Sequence, residues 1–119
     1  MKKNKCVLIV ESTKQSMERA FSELKKPSSK YKGMSILSFP DYETLGKVVT
    51  GARLEIIAVA RKSKPKSIQE LARLVGRDFK NVCQDVKLLA DFGLLTLDEG
   101  GPRKASTPIA KYSEIVLAA

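Results

Sequence analysis

Five residues between Ser67 and Gly93 constrain this chain more tightly than any other feature. Ser67 and Glu70 stand at capping-box spacing ahead of the apolar positions Ile68, Leu71 and Leu74, and Gly76 can close that short helix in the left-handed conformation. Two residues later Asp78 can cap a longer helix whose inward stripe is Val82, Val86 and Leu89, with Phe79 and Phe92 near its ends and Gly93 as its stop. The spacing predicts helices over 68–75 and 78–92 with a tight turn between them. Residues 94–97 then read as a strand, Gly100, Gly101 and Pro102 as a turn, and 103–107 as a second strand, giving a small hairpin.

Helix, tight turn, helix and hairpin in that order allow the first helix to brace the second and leave the second helix's outer face free for a DNA major groove. The segment from Ser67 to Leu95 resembles the winged helix-turn-helix of MarR-like prokaryotic transcriptional regulators. It is most similar to a short branch in which a Gly-Arg-Asp-aromatic-Lys-Asn-Val run, here Gly76 to Val82, opens the recognition helix. The resemblance covers residues 39–97, continues through the C-terminal strand and fades before residue 33. It implies a bracing helix at 67–75, a recognition helix at 78–92, and a dimeric repressor on a roughly palindromic double-stranded DNA operator. Some small regulators of this kind are antitoxins, which implies a toxin-like protein partner as a further expectation. Two positions depart from the pattern: Cys83, where relatives are expected to carry a polar or His residue, and the acidic pair Asp98 and Glu99 at the start of the presumed wing.

Helix geometry alone indicates which side chains face outward. With Val82, Val86 and Leu89 inward, Lys80, Asn81, Gln84 and Lys87 lie on the other side, and Arg77 stands at the helix entrance. Asn and Gln can bind adenine bidentately, and Arg and Lys can bind guanine or phosphate. Asn81 and Gln84, with Lys80 and Arg77, are the candidate base readers; the bland alternative is a solvated helix face. Candidate backbone contacts are Ser67, Lys87, Arg103, Lys104, Lys62, Lys64 and Lys66. Ser67 would offer a helix N-terminus to phosphate, although capping alone explains it. The basic run 61–66, read as a linker, either meets phosphate or solubilises a loop. Asp85 is expected to brace a neighbouring Arg or Lys, such as Arg73, since it would otherwise repel phosphate.

The first forty residues read as strand 5–10, an amphipathic helix over 13–26 capped by Ser12 and Gln15 and stopped by Pro27, and strand 34–39 ended by Pro40. The stripe Met17, Ala20, Phe21 and Leu24 reads as ordinary core. This segment could serve as a dimerisation unit, an inducer pocket or a surface that captures another protein. Asp41 and Thr50 can cap two further helices, and the apolar segment 115–117 either closes the sheet or pairs with another chain. The expected class is α+β, with a winged helix-turn-helix over 40–119 and a strand-helix-strand extension over 1–39.

Composition limits the chemistry. The chain has 119 residues with no His, which removes the commonest general base and metal ligand. Cys6 and Cys83 have no companion ligands nearby in sequence, so neither metal nor cofactor is expected; the helical position of Cys83 reads as a small buried thiol in a reducing cytoplasm. No nucleophile-base pair or phosphate-cradling loop is found, so no enzyme is expected. The apolar run at 6–10 is too short for a signal peptide or a membrane span. A net charge of +9 suggests a polyanionic partner, but it divides as +5 over residues 1–60 and +4 over 61–119 and so does not point to the helical pair. The alternative to a regulator is a protein-interaction module or antitoxin-type partner-binding protein on the same scaffold.

Overall fold

The computed structural model describes residues 4–25, 33–101 and 105–118. In chain order the elements are β1 (Lys5–Val10), α1 (Thr13–Lys25), β2 (Ser35–Phe39), α2 (Tyr42–Val48), α3 (Gly51–Ser63), α4 (Ile68–Val75), α5 (Phe79–Asp91), β3 (Thr96–Asp98), β4 (Thr107–Ile109) and β5 (Glu114–Ala118). The class is α+β. The chain divides into two compact units, Met1–Lys47 with Tyr112–Ala119, and Val48–Lys111. Among the described residues no helix is long and apolar enough to cross a membrane.

The first unit is a parallel sheet in the order β2-β1-β5. β1 is central, with Val7 level with Ile36 of β2 and Val116 of β5, and its continuous apolar run is accounted for: Cys6, Val7 and Leu8 are all buried. Helix α1 makes the crossover that a parallel pair requires. Its capping box is reciprocal, with the Gln15 N–H on Ser12 Oγ at 3.1 Å and the Ser12 N–H on Gln15 Oε1 at 2.8 Å. The expected boundary after residue 39 is corrected here. β5 belongs to the N-terminal unit, because Ser113 donates its N–H and its hydroxyl to the Asn4 carbonyl at 2.8 and 2.9 Å and delivers the strand to the open edge of β1.

The reading of the α1 stripe as core is also corrected: Met17, Phe21 and Leu24 are 56%, 61% and 82% exposed. Among the described side chains of α1, the partly covered ones are Ser16 and Arg19. Arg19 Nη2 and Nε reach Glu11 Oε1 at 2.7 and 3.1 Å, and the Ser38 hydroxyl donates to the same oxygen at 2.6 Å. This polar cluster at the ends of β1 and β2 sets the rotation of α1, so the polar side of the helix meets the sheet and the apolar stripe faces away. The proline stop expected at Pro27 lies outside the described residues.

The second unit packs α3, α4 and α5 against one another, with β4 against α3. Its buried residues include Ile56, Ile57, Ala60, Ile68, Leu71, Ala72, Val82, Val86, Leu89, Leu94 and Leu95, with Pro65 and Pro108. Thr50 caps α3 as expected, accepting the Arg53 N–H at 3.2 Å, but the helix continues through Ser63. Lys62 is therefore helical rather than in a linker, and Lys64 forms the left-handed cap with φ 47°. The hairpin register differs from expectation: 96–98 pairs antiparallel with 107–109, Thr96 opposite Ile109. Leu94 and Leu95 are drawn into the core and donate their N–H groups to the Leu89 carbonyl at 2.8 and 3.3 Å, so the apolar run serves the end of α5 before any strand begins.

Candidate nucleic-acid interface

Helices α4 and α5 are delimited by their own side chains. The Glu70 N–H donates to Ser67 Oγ at 3.0 Å, while the Glu70 carboxylate accepts the Lys66 N–H at 3.2 Å, so the box closes one residue earlier than expected. Gly76, at φ 70°, ends α4, and the Arg77 N–H returns to the Ala72 carbonyl at 3.1 Å. This is the doubly bonded left-handed stop that a glycine permits. Asp78 Oδ2 then accepts the Asn81 N–H at 3.4 Å and opens α5. The Ser67 hydroxyl is thus committed to capping.

Val82, Val86 and Leu89 are fully buried, and Lys80, Asn81, Gln84 and Lys87 are exposed on the other side of α5. The structure therefore places these four candidates together on one free helix face. Arg77 differs from them. Its Nη1 is enclosed and lies 2.9 Å from Asp85 Oδ2, and Arg53 Nε donates to Asp85 Oδ1 at 3.1 Å. The partner expected for Asp85, Arg73, is exposed and is not the one used. Asp85 sits on the flank of α5 that faces α3, and Arg53 approaches from there. Sequence reasoning missed Arg53, since a partner 32 positions away leaves no local signal.

A cleft of about 410 Å³ lies between the start of α4, one flank of α5 and the hairpin. Ser67, Phe79, Cys83, Lys87, Leu97 and Glu99 are among its lining residues. Two backbone candidates, Ser67 and Lys87, meet here, with Glu99 beside them. Cys83 is half-buried in the cleft rather than fully buried as expected, and it forms no disulfide with Cys6. Phe79, expected near the end of the core stripe, is 50% exposed. Lys62 and Lys66 are exposed, and Lys64 lines a separate recess with Pro65, Thr107 and Ile109. Arg103 and Lys104 lie outside the described residues. Among the described residues, no three His, Cys, Asp or Glu side chains gather as a metal-ligand set.

No curated protein and no solved structure matches the chain. One family model, HVO_A0114, matches residues 48–117, well over half of the chain. The match takes in the whole helical unit with its hairpin and ends within β5, and the name assigns no activity. On that extent of sequence, the chain belongs to the HVO_A0114 family.

Proposed function

We propose that this protein is a cytoplasmic, sequence-specific DNA-binding regulator, a dimeric repressor whose second unit works as a winged helix-turn-helix. It reads the major groove with α5, and the hairpin β3–β4 acts as the wing. The supporting observation is the two-sidedness of α5: Val82, Val86 and Leu89 have no exposure at all, while the opposite face offers Lys80, Asn81, Gln84 and Lys87. Asn and Gln can match the adenine edge and Lys the guanine edge or phosphate, so this set can both hold and read a duplex. The resemblance to MarR-like regulators supports the same reading. A mobility-shift titration on the DNA upstream of the protein's own gene tests it. Affinity should fall steeply with salt as bound cations are released, and binding indifferent to salt would count against it.

The exposed stripe on α1 favours a second reading, in which the chain is chiefly a protein-interaction module. A stable stoichiometric complex with another protein, together with no DNA affinity at physiological salt, would select this reading over the first.

A further inference from the structure

We infer that Asp85 is a positioning residue that fixes Arg77 at the entrance of α5 as a pre-set cation for the DNA backbone; this rests on the reading of α5 as a DNA-binding helix. Arg77 is held at both ends. Its backbone N–H is bonded to the Ala72 carbonyl in the stop of α4, and its buried Nη1, which makes no hydrogen bond of good geometry, is ion-paired at 2.9 Å with Asp85 Oδ2. The other carboxylate oxygen takes Arg53 Nε, and Arg53 Nη1 donates to the Val48 carbonyl at 3.1 Å, so the carboxylate itself is anchored from the start of α3.

One carboxylate thus faces two guanidinium groups. Side-chain exposure rises from 13% at Asp85 through 20% at Arg53 to 32% at Arg77, so of the two cations it is Arg77 that lies nearer to solvent. Nη1 is enclosed, and the exposed part of the side chain lies elsewhere on it. Asn81 and Asp85 are four residues apart on one flank of α5. An arginine stretched from position 77 to Asp85 therefore runs along the side of the helix that carries Asn81. A guanidinium held in this way has less rotamer freedom to lose on meeting a phosphate than a free one.

The test turns on a sign. Removing a negative charge from a DNA-facing helix strengthens binding by Coulomb's law alone, whereas removing a positioning residue weakens it. Wild type, R77Q, D85N and the double variant are titrated with a labelled mixed-sequence duplex of about 30 base pairs over a salt series, since a backbone contact acts on all sequences. R77Q should flatten the plot of log K against log salt by about one unit of slope. D85N should bind several-fold more weakly than wild type although it has lost a negative charge, and in the R77Q background, where there is no Arg77 left to position, the same change should leave binding equal or tighter. D85N binding as tightly as wild type, or more tightly, overturns the inference and leaves the DNA reading intact. Wild type with no affinity for the duplex overturns both. Urea midpoints show whether D85N is folded. If it is not, R77Q carries the test, and an unchanged slope in R77Q overturns the inference.

Discussion

The hydroxyl of Thr107 donates a 2.8 Å hydrogen bond to the carbonyl of Lys66. Strand β4 is thereby tied to the residue just before the cap of α4, and Pro65 and Pro108, each next to one of the bonded pair, are both fully buried. The bond helps set the distance between the hairpin and α4, two of the walls of the cleft that contains Ser67 and Lys87. Replacing Thr107 by Val keeps the shape and removes the donor, and should cost about 0.5 to 1 kcal/mol. Urea denaturation gives the loss. Amide exchange should show it as earlier opening of 107–109, and exchange unchanged there would mean that the bond is incidental.

Ser67 caps α4 through its hydroxyl, which accepts the Glu70 N–H. Ser67→Ala should destabilise the protein by about 1 kcal/mol, and Ser67→Asp, which can still cap, should restore most of that. If Ser67 also meets phosphate, the aspartate variant will be stable but weaker on DNA, because its carboxylate repels the backbone. Parallel urea and DNA titrations separate the two tasks.

Base reading predicts that Asn81 and Gln84 behave differently from the lysines. Replacing either amide by Ala should remove ~1 to 3 kcal/mol of preference between operator and random DNA, with nonspecific affinity retained. Lys62→Gln should weaken binding to every sequence alike. Competition titrations with operator and scrambled duplexes measure the ratio, and an unchanged ratio in the Asn81 and Gln84 variants would argue against readout by α5.

Arg19 is the first cause holding the Glu11 carboxyl below the ordinary carboxylate range; the Ser38 hydroxyl adds to this, and partial burial opposes it. A depressed folded-state pKa means that the unfolded chain takes up the proton at higher pH. The stabilisation from Glu11 is therefore complete above the ordinary Glu range and is lost as pH falls through the folded value. Acid titration of stability should show this loss in wild type. E11Q should be less stable near neutrality and should lack that component of the acid limb.

Met17, Phe21 and Leu24 are exposed at i, i+4 and i+7 on α1, and a regulator that binds two half-sites needs a second copy. Phe21→Lys should leave the fold intact, because the side chain is not in the core. If the second copy covers this face, light scattering should record dimer for wild type and monomer for the variant. A variant that remains dimeric would place the interface elsewhere.

The sequence by itself determined the helix starts and the stop between α4 and α5. The caps at Ser12, Asp41, Thr50, Ser67 and Asp78 and the left-handed stop at Gly76 are hydrogen bonds closed within a few residues, so residue type and spacing nearly suffice. The outward face of α5 was legible for the same reason, since helical periodicity sorts Lys80, Asn81, Gln84 and Lys87 from Val82, Val86 and Leu89. Tertiary structure alone decided what depends on distance through space. β5 sits beside β1 across most of the chain's length, and Asp85 chooses Arg53 and Arg77 over Arg73, because the flank facing α3 brings those guanidinium groups within reach. The α1 stripe faces away from the sheet because Glu11, Arg19 and Ser38 meet first. Periodicity states that a helix has an apolar side; only the packed neighbours decide what that side is turned towards.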